Sequence, residues 1–399
     1  MLFTHWVANT TKRCGLSGKA RSGGRPSCVR SSAVVVTVAA GMLLPVPLPV
    51  RVSAAVLQPP TGLIAYVTNT GSDDVSLIDV DTHDVQTTIN VDRAPEGLAV
   101  TPDNRRVYVA NYTDSTVSVI NTRTSRVSTI RLEGGAGPKD VAISPDGDRV
   151  YVTDNNANDV SVIDTATNTL IDTIRVGRDP FGVAASPDGD TVYVANTQSD
   201  DVSVIDTDSN EVTGTIRVGD GPHGLAVSPN GARLYVANWR SDDVSVINTR
   251  RNEVIATVDV GSGPEKVAVT PNGNHAYVTN LGTDNVSVID TRRNRVSATI
   301  HVGNAPVGVA ITPNGHSAYV ANAGSDSVSV INTTNNNVIR TIRRVGDGPD
   351  SVAFARLPAG LGGQGGDEDE YRRFGATGTA GIRRVTRATM TTSDGWSRP

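Results

Sequence analysis

Hydrophobic and polar residues alternate along most of this chain in short runs, and the order of the runs repeats. In residues 193–234, four runs rich in Val, Ile, Tyr and Thr are separated by turn residues, and they read YVAN, DVSVID, EVTGTIRV and GLAVSP. Alternation with a period of two indicates β-strands, and short polar turns between them predict antiparallel neighbours. One such unit is therefore predicted to be a four-stranded antiparallel meander.

The unit returns at a fixed period, which indicates stacked supersecondary units. The interval is 42 residues, except for one of 43 residues, between the tyrosines at Tyr66, Tyr108, Tyr151, Tyr193, Tyr235, Tyr277 and Tyr319. The strands alternate Val or Ile with Ser, Thr or Ala instead of charged residues, so both faces of each sheet are expected to be covered. Seven sheets of this kind suit a radial β-propeller, with an open solenoid as the competing geometry.

The two ends of the repeat favour the propeller. The repeat opens near Leu63 directly with a YVTN-type strand, and it closes at residues 351–354 with a GVAV-type strand that no YVTN run follows. The last strand can complete the first sheet, which would close the ring and remove its free edges. The sequence therefore predicts an all-β, seven-bladed β-propeller of four-stranded antiparallel blades, closed by the C-terminal inner strand.

Three recurring motifs resemble those of the YVTN β-propeller repeat family. They are YVTN at residues 66–69, SDDVSVIDT at residues 199–207 and GVAITPNG at residues 308–315, and the match covers roughly residues 61–357. The resemblance implies a propeller that is commonly found outside the cytoplasmic membrane, as in surface-layer and other exported proteins. Propellers with a similar sheet pattern also include lactonase-like enzymes, streptogramin-lyase-like enzymes and haem d1 domains. The repeat carries no catalytic residue of any of these enzymes.

The two segments that flank the propeller region, residues 61–357, differ from it in composition. Residues 1–55 hold seven Lys or Arg and no Asp or Glu, with an apolar run at residues 33–44. Twelve apolar or small residues are too few to cross a bilayer of about 30 Å as a helix, and they match a signal-peptide core. We expect a signal peptide and a secreted or cell-envelope location; an uncleaved membrane anchor and a disordered cytoplasmic extension are the alternatives. Residues 358–399 are expected to be a disordered tail.

Cysteine content and charge exclude several classes of function. Cys14 and Cys28 both precede the propeller, so this region has no disulfide, Cys-ligated zinc site, catalytic thiol or CxxCH haem attachment. Removing the seven basic residues of the leader leaves 29 Lys and Arg against 41 Asp and Glu, a formal charge of −12. This balance disfavours binding to nucleic-acid phosphates. No cofactor is expected.

Charged residues separate between the two rims of the predicted propeller. Acids follow the YVAN-type strands, at Asp73, Asp74, Asp114, Asp159, Asp200, Asp201, Asp242, Asp243, Asp284 and Asp326. The loops after the VSVID-type strands instead carry Arg123, Arg126, Arg250, Arg251, Arg292, Arg293 and Arg295. A motif that recurs in most blades favours structural turns, because Asp in tight hairpins bonds its own backbone. Calcium binding is the alternative, although no metal site is predicted.

Residues that vary between the copies are the candidates for specificity. The residue after the loop proline, or its equivalent, begins each inner strand at the channel mouth, and the seven residues are Glu96, Lys139, Phe181, His223, Glu265, Val307 and Asp350. The same rim also carries Tyr112, Trp239 and Arg240. Antiparallel pairing places His223 and Trp239 at one end of a blade, with Phe181 and Glu265 on the neighbouring blades. This predicts a binding patch of Phe181, His223, Trp239, Arg240 and Glu265, in which the exposed Trp and Arg are the binding anchors.

Three functions follow from these features. The first is an exported, monomeric binding or scaffold module that binds a protein or envelope component through its loop rims. The second is a channel-mouth enzyme, either a lactonase-like hydrolase or a lyase, in which His223 and Glu265 form an acid/base pair that acts on a small molecule. The third is nucleic-acid binding through the arginine-bearing rim. Contact with a membrane is expected only through an uncleaved N-terminal segment.

Overall fold

The computed structural model describes residues 62–133 and 135–358, and their strands form seven sheets of four strands each. The signal peptide and the tail predicted for residues 1–55 and 358–399 lie outside this range, apart from Pro358. Each sheet is one blade, and the chain enters blades 2 to 7 at the inner strand and leaves them at the outer strand. The seven-bladed all-β propeller predicted from the repeat is confirmed.

The strands occupy four equivalent positions in every blade. In blade order from 1 to 7, the inner strands are β28 (Pro349–Leu357), β4 (Pro95–Val100), β8 (Pro138–Ile143), β12 (Pro180–Ala185), β16 (Pro222–Val227), β20 (Pro264–Val269) and β24 (Pro306–Ile311). The second strands are β1 (Gly62–Asn69), β5 (Arg106–Asn111), β9 (Arg149–Asp154), β13 (Thr191–Asn196), β17 (Arg233–Asn238), β21 (His275–Asn280) and β25 (Ser317–Asn322).

The remaining two strands complete each blade towards the outside. The third strands are β2 (Asp74–Asp79), β6 (Thr116–Asn121), β10 (Asp159–Asp164), β14 (Asp201–Asp206), β18 (Asp243–Asn248), β22 (Asn285–Asp290) and β26 (Ser327–Asn332). The outer strands are β3 (Val85–Asn90), β7 (Val127–Arg131), β11 (Thr169–Arg175), β15 (Glu211–Arg217), β19 (Glu253–Asp259), β23 (Arg295–His301) and β27 (Asn337–Arg343). A single-turn 3-10 helix occupies Ala323–Ser325. Within the described residues, no helix is both long and apolar enough to cross a membrane.

The ring closes through the C-terminal strand. β28 pairs antiparallel with β1, with Tyr66 opposite Ala353 and Gly62 opposite Leu357. Each inner strand contacts the inner strand of the next blade, and β24 contacts β28 to complete the circle. Because the inner strands surround the axis, their first residues lie at one mouth of a central channel.

The recurring tyrosine and asparagine are explained by contacts of the frame. The rings of six of the seven tyrosines are almost completely buried and pack against the next blade, as Tyr66 does against Val107. The hydroxyl group of Tyr108 donates a hydrogen bond to Asn168 Oδ1 in the next blade, at 2.6 Å. The amide of Asn69 donates to Asp74 Oδ1, at 2.6 Å. The packing of the tyrosine ring and the bonds of the asparagine recur in most blades, which is why the motif returns. Among the seven recurring tyrosines, all within the described residues, the hydroxyl bond to an asparagine is made only by Tyr108 and Tyr277.

The predicted turn chemistry is also confirmed. Gly147 and Gly273 end Ser/Thr-Pro-Asp/Asn-Gly turns at φ of 82° and 72°, where only glycine is free of strain. Asn104 takes the place of this glycine in blade 2 and adopts φ of 60°. Asparagine is one of the few other residues that tolerate this left-handed region.

Candidate functional site

The inner strands approach one another closely around the channel. A Cβ atom added to Gly224 would lie 2.5 Å from the carbonyl oxygen of Glu265, and one added to Gly97 would lie 2.6 Å from the Cα atom of Asp140. Only glycine allows backbones to approach to this distance. The residues that precede these glycines therefore face a narrow space. We define the channel mouth as the side chains of Glu96, Lys139, Asp140, Phe181, His223, Glu265, Lys266 and Asp350.

His223 is the most constrained side chain in the channel mouth. Its ring is parallel to the rings of Phe181 and Trp239, with centroid separations of 4.2 and 5.4 Å and interplanar angles of 4° and 1°. The Nδ1 atom of His223 lies 3.0 Å from Oε2 of Glu265 on the next blade. The two side chains are only 13% and 7% exposed. Stacking fixes the plane of the imidazole, and the carboxylate fixes its rotation.

A second pair lies on the other side of Phe181. Lys139 Nζ lies 2.8 Å from Glu96 Oε1, and it also lies over the ring of Tyr112, 4.2 Å from the ring centroid. Burial raises the pKa of Glu96, while the ammonium group of Lys139 opposes this shift. The ring of Phe181 lies between this pair and His223, because Lys139 Nζ is 5.3 Å from its centroid.

The third pair crosses the channel. Lys266 Nζ in blade 6 lies 2.6 Å from Asp140 Oδ2 in blade 3, three blades away. Burial lowers the pKa of Lys266, but the carboxyl groups of Asp140, Asp350 and Glu265 outweigh burial and raise it. The sequence analysis missed both residues of this pair. Their position carries Gly in four of the copies and Ser in one. Comparison of the copies therefore marks Asp140 and Lys266 as charged exceptions.

Asp350 completes the channel mouth from blade 1. Burial, together with the acids Glu96 and Glu265, raises the pKa of its carboxyl group to about 8 against the opposing effect of Lys266. The charged groups responsible lie in blades 2 and 6.

The structure brings together most of the residues that were predicted as a patch, but it changes their environment. Glu265 is 5% exposed and Val307 is 8% exposed, so the variable position lines the channel wall and is not an open loop surface. The glycines of the inner strands permit the close approach that buries this position. Trp239 remains 39% exposed. Arg240 is exposed beside it, with its stem against Gly221.

The recurring acids lie on the rim that surrounds the channel mouth, here called the mouth rim, and they bond the backbone of the loops that enter the inner strands. The carboxylate of Asp200 accepts a hydrogen bond from the backbone N–H of Gly221 at 3.0 Å, and Asp242 accepts one from Gly263 at 2.8 Å. Both acids adopt positive φ, 51° and 56°. Their oxygens therefore cap the loop that enters the next inner strand. Within residues 62–133 and 135–358, no three His, Asp or Glu side chains are arranged to bind a metal ion.

Two cavities lie at the opposite rim, between neighbouring blades. The larger, of about 550 Å³, lies between blades 5 and 6 and is lined by Pro229, Arg233, Asn274 and Arg292, among others. The smaller, of about 230 Å³, lies between blades 2 and 3. Neither is lined by any residue of the channel mouth.

Comparison with known proteins assigns the fold to a family. The family model described as "Lactonase, 7-bladed beta-propeller" matches residues 55–217, 121–254 and 215–353, which together span most of the chain. This chain belongs to the seven-bladed β-propeller lactonase family. No curated protein gives a significant match to this lactonase-family propeller.

Solved structures similar to the lactonase-family propeller are named for different activities. A putative 6-phosphogluconolactonase from Bacteroides uniformis has a TM-score of 0.64 at 18% identity, covering 74% of this chain and all of that one. The hydrazine synthase of Kuenenia stuttgartiensis has a TM-score of 0.63 at 25% identity, covering 67% of this chain and 92% of that one. The dihydro-heme d1 dehydrogenase NirN has a TM-score of 0.57 at 15% identity, covering 74% and 75%. The likenesses at 18% and 15% identity show the fold alone.

Proposed function

We propose that this chain is a hydrolase of the lactonase type that opens cyclic esters at the channel mouth. The observation that carries the proposal is the 3.0 Å contact between His223 Nδ1 and Glu265 Oε2. The imidazole ring of His223 is also held between two aromatic side chains. Membership of the lactonase family supports the same reaction class. The enzyme hypothesis is therefore better supported than the scaffold hypothesis.

The chemistry requires one base, one water and one group that polarises the ester. Glu265 accepts the Nδ1–H of His223, which leaves the lone pair on Nε2 free to take a proton from water as it attacks the lactone carbonyl carbon. The C–O bond of the ring breaks, and the imidazolium returns the proton to the leaving alkoxide oxygen. The N–H groups of Lys266 that do not bond Asp140 polarise the carbonyl oxygen. Water and lactone are converted to one hydroxy acid.

The test is a lactone panel assayed by acid release in a pH-stat. We expect His223→Gln to lower kcat by about 10²–10⁴-fold, the usual contribution of a general base. The matched control is His316→Gln, because His316 is exposed in a turn of the opposite rim. Hydrolysis that is unchanged in His223→Gln, or absent from the wild type across the panel, would overturn the proposal.

A binding or scaffold module outside the cytoplasm is the second candidate. The exposure of Trp239, 39% in a loop of the mouth rim, favours it, since exposed Trp beside Arg is frequent at binding hot spots. The resemblance to YVTN-repeat proteins points in the same direction. In a pull-down from envelope material, Trp239→Ala combined with Arg240→Ala should lose a partner that the wild type retains. A partner that both retain would remove this surface as the binding site.

A further inference from the structure

The carboxyl group of Asp350 differs from the other acids of the channel mouth. Glu96 has Lys139 at 2.8 Å, Asp140 has Lys266 at 2.6 Å, and Glu265 has His223 at 3.0 Å. Within the described part of the chain, the Asp350 side chain has neither an ion pair nor a hydrogen-bond partner. It is half-buried at the inner wall of blade 1. A partly buried polar group without a partner is a candidate ligand contact.

The channel mouth holds more acids than cations. Its four carboxyl groups face two ammonium groups and one imidazole. Each lysine already bonds a carboxylate of its own, so it keeps N–H donors for a neutral carbonyl but supplies no surplus positive charge. An anionic substituent placed here would find no unpaired cation and would lie among four carboxyl groups, in a poorly solvated space where charge interactions are strong.

Two aromatic rings at the mouth already lie beneath lysine ammonium groups. Lys139 Nζ lies 4.2 Å from the ring centroid of Tyr112, and Lys266 Nζ lies 5.9 Å from that of Phe181. Distances up to about 6 Å allow attraction between a cation and the face of a ring. Aromatic faces next to carboxylates are the usual surroundings of a bound ammonium group, so the rings and the acids favour the same ligand charge.

We infer that the channel mouth recognises a ligand that carries an ammonium group, with the Asp350 carboxylate as its ion-pair partner. Resting on the proposed hydrolase function, this makes the substrate an amino-substituted lactone instead of a phosphorylated or carboxylated one. The putative phosphogluconolactonase among the similar structures would then share the fold but not the charge preference.

Binding of the ammonium group would favour the ionised form of Asp350. Burial, followed by the acids Glu96 and Glu265, raises the pKa of Asp350 to about 8, while Lys266 and Lys139 oppose the shift. An ammonium group pairs only with the ionised carboxylate. Affinity for a cation that stays charged should therefore rise as the pH increases from 6 to about 8 and then level off, with one proton released per ligand bound below pH 8.

The kinetic test uses three lactones that share one ring. α-Amino-γ-butyrolactone, γ-butyrolactone and α-carboxy-γ-butyrolactone differ only in the charge of one substituent, and the assay is run at a pH at which the amine is protonated. We expect kcat/KM to fall about tenfold or more at each step from amino to unsubstituted to carboxy, about 1.4 kcal/mol per step. A higher value for the carboxy lactone, or equal values for all three, would overturn the inference.

A binding test keeps the inference separate from catalysis. Calorimetric titration of the full-length protein with methylammonium and with acetate reports charge preference whether or not any lactone is hydrolysed. Methylammonium should bind the wild type with the pH profile given above, and its binding should weaken at least tenfold in Asp350→Asn. Asp347→Asn is the matched control, because this acid is exposed in the loop before the same strand. Glu96→Gln is a second variant in case Asp350→Asn does not fold.

The outcomes separate the two proposals. Methylammonium binding that depends on Asp350, without hydrolysis of any lactone, would support the charge preference and overturn the hydrolase. Hydrolysis of neutral or anionic lactones with no methylammonium binding would support the hydrolase and overturn the charge preference. Tighter binding of acetate, or equal methylammonium binding by wild type and Asp350→Asn, contradicts the inference directly.

Discussion

The frame of the blades and the channel mouth use the same seven-fold geometry in opposite ways. In the frame, equivalent positions carry the same residue and bond within a blade or to the next one, as Asn69 bonds Asp74 and Tyr108 bonds Asn168. In the channel mouth, equivalent positions carry different residues, and the bond from Lys266 to Asp140 joins blade 6 to blade 3 across the channel. Residues that repeat between blades thus stabilise the fold, whereas residues that differ between blades bring unlike side chains together at the channel mouth. Substitutions should distinguish the two regions.

The largest effect is expected where frame and mouth meet, at the inner-strand glycines. In Gly224→Ala, the new Cβ atom would overlap the carbonyl oxygen of Glu265 and the Cα atom of Lys266, at 2.5 and 2.7 Å. Both are in the neighbouring inner strand, so the strands must separate. We expect a loss of about 3 kcal/mol in the free energy of unfolding, measured by urea denaturation, together with displacement of Glu265 from His223.

Gly214→Ala is the matched control for this substitution. Gly214 lies in the outer strand β15, and nothing lies within 4 Å of an added Cβ atom. Alanine there should be neutral or stabilise the protein by about 0.5 kcal/mol, because it restricts the unfolded chain. Equal effects of the two substitutions would show that close approach of the inner strands is not what the glycine provides.

The difference between frame and mouth also explains how much the sequence could predict. Period, strand pattern and turn residues are local properties, and they predicted the blades, the strand closure and the equivalence of the seven positions after the loop prolines. Comparing the copies located His223 and Glu265 on neighbouring blades. The frame was predictable because the packing of the tyrosine rings and the bonds of the asparagines recur in most of the copies and leave a recurring residue.

What the sequence did not predict depends on distances between blades. The contact of Lys266 with Asp140 occurs once, and it requires the width of the channel to be known. The burial of Glu265 follows from how closely the inner strands approach. The parallel stacking of Phe181, His223 and Trp239 depends on side-chain rotamers. The sequence marks Asp140 and Lys266 as exceptions at a position that is Gly in four copies, but it gives no distance that would pair them, and it gives neither the burial of Glu265 nor the stacking of the rings.

The second prediction concerns a frame position that departs from the repeat. Asp154 in blade 3 takes the place of the asparagine found in the other six blades and is buried beside Asp159. Burial first, and the Asp159 carboxylate with it, raises its pKa to about 7. The unfolded value is about 3.9. The native state therefore binds more protons between pH 4 and 7, and stability falls as the pH rises through this range.

Asp154→Asn should remove this pH dependence. An amide does not ionise, and it can donate to Asp159 as Asn69 does to Asp74. We expect a gain of about 2 kcal/mol at pH 8 and little gain at pH 4, measured by urea denaturation at both values. The reciprocal variant Asn196→Asp should introduce the same loss at pH 8 in blade 4. A gain that does not change with pH would contradict the assignment of the effect to ionisation.

The smallest effect is expected at the acids of the mouth rim. Asp200 accepts a hydrogen bond from Gly221 N–H and adopts φ of 51°. Asp200→Ala removes the acceptor and places a residue poorly suited to positive φ, so we expect a loss of about 1 kcal/mol. Asp200→Asn should change stability by less than about 0.5 kcal/mol, because Asn158 makes the equivalent contact with Asp179 N–H in blade 3.

Calcium distinguishes a capping role for these acids from a ligand role. A carboxylate that caps a loop should leave the thermal unfolding midpoint independent of millimolar calcium or of a chelator, in the wild type and in Asp200→Asn alike. A calcium ligand would give a midpoint that rises with the ion and a loss of that rise in Asp200→Asn. Because the equivalent contact is made by a neutral amide in blade 3, the hydrogen bond to the backbone, and not the charge, is the property that the repeat preserves.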